Sequence, residues 1–159
     1  MNKLRLILGD QLNINHSWFK ENNSKITYVM MEVKEETSYV LHHAQKIIAT
    51  FAAMRFFAEQ LQQKGFEVIY FKINDKQNKQ SFYQNINKTI KEKNIGELQY
   101  LEPDEYRLST ELKKLESIEN IKVESVDTEH FLVPKLYAKD FFSEKKHWRM
   151  EEFYRNMRK

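Results

Sequence analysis

Five short apolar runs are spaced along the chain, most of them separated by one helix-length stretch, and this alternation constrains the fold more than any other feature. The runs are residues 4–8, 27–33, 66–73, 98–101 and 121–126. A polar connection rich in Asn and Lys joins the first two. Residues 37–64 then read as one long helix, with Ile47, Phe51, Met54, Ala58 and Leu61 on a single apolar stripe. Gly65 ends it as a C′ residue, where positive φ is cheap for glycine. Residues 81–93 carry Phe82, Ile86 and Ile90 at helical spacing and end near Gly96. Glu102-Pro103-Asp104-Glu105 turns into another helix, and residues 141–159 form a basic, aromatic helix with an interruption near Glu144. Strands separated by single helices are not hairpins; they imply a parallel sheet with right-handed crossovers. The expected architecture is an α/β three-layer Rossmann-like domain, a mainly parallel five-stranded sheet with helices on both faces. One domain spans 1–159, without internal repeats or low-complexity linkers.

Composition agrees. The 159 residues suffice for one buried core, and three glycines with two prolines argue against a loop-rich all-β fold. With 41% hydrophobic and 31% charged residues the chain is globular rather than disordered. There is no cysteine, which excludes disulfides, thiolate nucleophiles and cysteine-held clusters within these residues. No signal-peptide pattern and no membrane-length apolar run are present, so the expectation is a cytoplasmic protein without membrane contact. Residues 144–159 hold six basic and three acidic side chains, which accounts for the whole net charge of +3. Such an excess is either a phosphate-facing patch or a solvated helix face.

Several chemistries are excluded by motif. There is no G-x-G-x-x-G, no G-x-x-x-x-G-K-[ST], no G-x-S-x-G and no H-E-x-x-H. A nucleotide-like ligand would therefore be held without a glycine-rich phosphate loop. The first apolar run ends in Gly9-Asp10-Gln11, and strand ends near a reversal of chain order are where open α/β sheets bind ligands. A plain turn accounts for the same residues. The second run leads to Glu32, Glu35 and Glu36, then to Thr37-Ser38-Tyr39 at a helix start. Glu36 there favours the helix dipole. With Glu32 and Asp10 on neighbouring strand ends, it could equally accept hydrogen bonds from the imide or hydroxyl donors of a heterocyclic ligand.

Tyr39, His42, His43 and Lys46 share a broad face if the helix is continuous. Adjacent histidines diverge by about 100° on a helix, so they do not chelate one metal. A histidine bonded to or stacked on a ligand and a plain polar face both fit. The tail interleaves Phe153 and Tyr154 with Arg155, Arg158 and Lys159, a pattern suited to nucleic-acid phosphates or to docking another domain. It stops in a helical pattern without a cap, which leads us to expect natural sequence beyond it.

Taken in order, these segments resemble the N-terminal domain of the deoxyribodipyrimidine photolyase-related family, the prokaryotic iron–sulfur cryptochromes and (6-4) photolyases. The resemblance rests on Leu6-Ile7-Leu8-Gly9-Asp10-Gln11-Leu12, Glu32-Val33, Glu36-Thr37-Ser38-Tyr39-Val40, His42-His43 and Lys46-Ile47. It continues through Phe51-Ala52-Ala53-Met54-Arg55, Phe57-Ala58, Glu102-Pro103, Glu105-Tyr106-Arg107, and Met150-Glu151, Phe153-Tyr154-Arg155 and Met157-Arg158. It implies an α/β domain holding a ribityllumazine antenna, followed in the whole flavoprotein by a larger helical domain carrying FAD and an iron–sulfur cluster. That helical domain is absent from these residues. For a full-length protein the resemblance implies DNA photolyase activity, a carbon–carbon lyase reaction, or blue-light sensing; this chain alone is expected to be inactive.

Carried onto this sequence, the antenna-site candidates are Gly9, Asp10, Gln11, Glu32, Glu36 and Tyr39, with His43, Glu102 and Arg107 further out. No metal ligand or catalytic residue is assigned. The implied partners are the helical domain, DNA through the full-length protein, and a second copy through the tail. Arg155, Arg158 and Lys159 are the candidate interdomain or nucleic-acid residues. Two other readings stand beside this one: a free-standing nucleotide- or nucleic-acid-binding protein, and a structural fragment whose aromatic tail is an orphaned interdomain face.

Overall fold

In the computed structural model, which describes residues 1–144 and 146–158, every strand pairing is parallel. The strands β1 (Asn2–Leu6), β2 (Ile26–Met31), β3 (Glu67–Phe71), β4 (Ile95–Leu101) and β5 (Lys122–Val126) form one sheet in the order β3-β2-β1-β4-β5. The chain steps outward from β1 to β3, then returns to the other side of β1. The order therefore reverses between β1 and β4, beside the central strand.

Alternation along the strands splits the core in two. Leu4, Leu6, Val29, Met31, Leu98 and Tyr100 face one side, packed with Phe82, Ile86 and Ile90 of α3 (Phe82–Lys93) and Leu108 and Leu112 of α4 (Tyr106–Lys113). Ile7, Tyr28 and Met30 face the other, against Met54, Phe57, Ala58 and Leu61 of the long helix (Ala44–Gln63) and Trp18 of a short 3-10 turn. Both faces are thus covered by helices, which makes the three layers. Arg5, on the second face, keeps its charge solvated by protein: it donates to Gln99 Oε1, Trp18 O and the Tyr28 hydroxyl and stacks on the Trp18 ring.

The structure corrects the expected helix over 37–64. A five-residue α1 (Lys34–Ser38) is followed by a turn, and α2 (Ala44–Gln63) starts afresh. The break has a local cause. The Ser38 and Thr37 hydroxyls donate to Lys34 O, competing with the backbone for the acceptor that would carry α1 onward. His43 then caps α2, its Nδ1 accepting from Gln45 N–H. Gly65 does adopt positive φ, +84°. Gly96, expected between helix and strand, lies inside β4; the left-handed residue that ends α3 is Asn94, at φ 50°.

The chain divides into two compact units, Met1–Val126 and Asp127–Lys159. The second contains α5 (Lys135–Phe142) and α6 (Met150–Met157) where one interrupted helix was expected. Phe153 is buried among Tyr137, Phe141 and Phe142, and Asn156 Nδ2 donates to the Tyr137 hydroxyl.

Candidate functional site

A cleft of about 260 Å³ opens at the carboxyl ends of β1 and β2. Its floor is Leu8, Gly9 and Asp10, and its walls are Met31 and Val33, Glu36 and Thr37, Tyr39 and His42, with one face of α2. Phe82, Glu105 and Leu108 close the far side. Glycine at the floor permits a close approach. A Cβ on Gly9 would stand 3.0 Å from Met54 Sδ and 3.1 Å from Thr50 Cγ2. The interior is largely apolar with a few polar groups at its edge, the composition expected of a small-molecule site.

Glu36 is held by Arg107 from α4 in a two-pronged pair, Nη1 to Oε1 at 3.0 Å and Nη2 to Oε2 at 2.9 Å. Arg107 also donates to Glu105, and its guanidinium lies 3.8 Å from the centre of the Tyr39 ring. The bond to Glu36 holds the guanidinium proton more tightly than usual, against the opposing effect of burial. A carboxylate accepts about four hydrogen bonds, so Glu36 retains capacity toward the cleft. Arg107 itself does not line the cavity; it braces Glu36 and Tyr39, which do.

The remaining candidates separate by position. Gln11 is buried and does not line the cleft. Its Oε1 accepts from Leu8 N–H and its Nε2 donates to Leu101 O, tying the end of β1 to the end of β4 at the reversal of strand order. Glu32 also lies outside the lining. It is fully buried, and its carboxylate accepts from Arg55 Nε and Nη2, the Tyr70 hydroxyl and Ile73 N–H. Burial alone would raise its pKa, but these bonds and the Arg55 charge outweigh it and the net shift is downward. His43 caps α2 and is exposed. Glu102 follows β4, where its N–H donates to Val126 O, and it too is outside the lining. In the second unit Arg155 pairs with Glu151 at 2.6 Å, Arg158 is exposed at the end of α6, and Lys159 lies outside the described residues.

Sequence reasoning assigned His43 rather than His42 to the site, missed Thr50 and Glu105 as lining residues, and placed Ile47, Phe51 and Met54 only in a core stripe. A signal was available: Lys46, Thr50 and Met54 recur at four-residue steps, one helix face turned toward the glycine at the end of β1. Among the described residues no group of three or more His, Cys, Asp or Glu is arranged to hold a metal ion. No helix there is long and apolar enough to cross a membrane.

Residues 5–159 match the model of the deoxyribodipyrimidine photo-lyase-related protein family. The chain is 35% identical over 160 residues to a (6-4) photolyase of Agrobacterium fabrum, a match that covers 100% of this chain and 32% of that protein. The chain thus spans about a third of the length of this curated relative. With a match running from β1 to the last helix, the chain belongs to the deoxyribodipyrimidine photo-lyase-related protein family.

Proposed function

We propose that this chain is the antenna-chromophore-binding α/β segment of a photolyase-related flavoprotein, and that a ribityllumazine occupies the cleft at the ends of β1 and β2. The observation that carries this reading is the cleft itself: apolar walls on a glycine floor, with Asp10 and a braced Glu36 at the edge. At about 260 Å³ it lies just below the range of roughly 300–1,000 Å³ usual for drug-sized ligands. In this reading a bicyclic ring lies between Met31, Val33 and α2, and its polyol tail runs outward to carboxylates that accept from its hydroxyls. Bound there, the chromophore would collect near-ultraviolet and blue light for a flavin.

In this reading FAD and an iron–sulfur cluster belong to further polypeptide, and light-driven DNA repair or blue-light sensing belongs to the whole protein. The 159 residues contain no cysteine, whereas such clusters are held mainly by cysteine thiolates. Exposed apolar side chains support further packing: Leu41, Ile48 and Phe56 in and before α2, and Trp148 and Tyr154 in the second unit.

Fluorescence titration with ribityllumazine tests the reading. One chromophore per chain is expected, and Glu36→Ala should weaken binding by about 1–3 kcal/mol through unpaired ligand donors. Arg107 keeps Glu105 as a partner in that variant, so the fold is retained. Unchanged affinity in Glu36→Ala counts against this site.

A further inference from the structure

Six of the eight large apolar side chains that the first unit exposes stand at one place. Tyr39 lines the cleft, and Val40, Leu41, Ile48, Tyr83 and Tyr106 each stand next in sequence to a lining residue. They come from the turn after α1 and from α2, α3 and α4. Leu41 is fully exposed and Tyr106 is 87% exposed. The other two of the eight are Met1, before β1, and Phe56, further along α2. Single apolar residues are normal on a surface, whereas a gathered set marks an interaction face.

The cleft beside this rim calls for a cover. Small-molecule sites enclose about 70–90% of their ligand's surface, and this one is open and slightly small. The size of the rim decides what kind of cover fits. At about 100 Å² for each side chain it presents about 600 Å². That is less than the roughly 800 Å² that each partner of a stable complex of separate chains buries. It suffices between domains of one polypeptide, where the tether raises the effective concentration. The Agrobacterium fabrum relative has about two thirds of its length outside the stretch matched here. We propose that the rim is the docking face for an apolar segment of further polypeptide of the same protein, and that docking there closes the chromophore cleft. This inference rests on the ligand reading above and names the contact that completes its site.

The test compares residues 1–159 with the product of the whole reading frame, by hydrogen–deuterium exchange and ribityllumazine titration. Each is made as wild type and as the triple variant Leu41→Ser, Ile48→Ser, Tyr106→Ser. In the wild-type whole protein, amides of 39–48 and 104–108 should exchange about fivefold or more slower than in residues 1–159. Ribityllumazine should bind the whole protein about tenfold tighter, the effect of covering roughly 50 Å² more of the ring. The triple substitution should abolish both differences. It should leave the affinity and unfolding temperature of residues 1–159 unchanged, since the three side chains meet solvent there. Equal exchange in the two wild-type forms, differences that survive the substitution, or a reading frame that ends at Lys159 overturns the docking face and leaves the ligand reading intact. Slow exchange that appears in residues 1–159 alone as their concentration rises identifies a second copy as the cover and likewise overturns it. Slower exchange in the whole protein, with no ribityllumazine bound by either form, supports the docking face and overturns the ligand reading.

Discussion

Glu32→Gln separates fold from ligand chemistry, because Glu32 stands near the cleft in sequence and outside it in space. Its side chain has no exposure and accepts four hydrogen bonds, at 2.6 and 2.9 Å from Arg55, 2.7 Å from the Tyr70 hydroxyl and 2.8 Å from Ile73 N–H. Glutamine has the shape but turns an amide NH₂ toward groups that are themselves donors. Breaking a buried pair costs about 3–5 kcal/mol. Arg55 is 43% exposed and re-solvates, which places this case near the lower end, at about 3 kcal/mol. Orphaning one or two buried donors at about 1–3 kcal/mol each gives the same scale. With a slope of about 2 kcal/mol per molar urea, the unfolding midpoint should fall by about 1.5 M. The pH dependence has a definite sign. Burial raises the Glu32 pKa, but the bonds from Arg55, Ile73 and Tyr70 lower it further, so the folded value lies below the unfolded one. The stabilisation is therefore complete above the unfolded carboxylate pKa of about 4.3 and is lost as pH falls through the lower folded value. Urea titrations at pH 7 and at steps below pH 4 should show the gap between wild type and Glu32→Gln narrowing with acid. A gap under about 1 kcal/mol at pH 7, or one independent of pH, would refute the reasoning. Lost ribityllumazine binding in folded Glu32→Gln would return Glu32 to the ligand site.

The sheet was legible because its information is local and periodic. Runs such as Leu4-Arg5-Leu6-Ile7-Leu8 and Tyr28-Val29-Met30-Met31 announce strands buried on both faces, and single helices between them dictate parallel pairing. The break at Tyr39–His43 was not legible. Nothing in hydrophobic periodicity records that Thr37 and Ser38 back-bond to Lys34 O or that His43 caps α2. That break redistributed the site: it moved His43 to a cap and His42 to the cleft wall. Glu36 and Tyr39 stayed at the cleft because they follow β2 by only a few residues. Glu32 and Gln11 illustrate the opposite limit, polar residues at strand ends whose partners come from far along the chain. Arg55, Tyr70 and Ile73 claim one, and Leu101 claims a bond from the other. Sequence spacing locates a strand end well, but it does not show which of two neighbouring carboxylates faces a cavity and which faces an arginine.

Two further substitutions test the backbone features behind this arrangement. Asn94 ends α3 at φ 50°, a conformation asparagine tolerates and β-branched residues resist. Asn94→Val should cost about 1–2 kcal/mol and lower the unfolding temperature by several degrees in calorimetry; no change would show that the helix end relaxes freely. Gly9 is more directly functional. Its missing Cβ lets the end of β1 approach α2, and an added carbon meets Met54 Sδ at 3.0 Å and Thr50 Cγ2 at 3.1 Å. Met54 is flexible, so Gly9→Ala is accommodated by a small shift, with binding kept within a few-fold of wild type. Valine brings two more methyl groups to the same gap. They either press on α2, at an overpacking cost of about 1–3 kcal/mol, or enter the cleft and take volume from the ring. Gly9→Val should therefore lose ribityllumazine affinity by about tenfold or more, with only that modest loss of stability. Wild-type affinity in Gly9→Val together with unchanged stability would show that the ring does not lie on this floor, because methyl groups that do not press on α2 stand in the cleft.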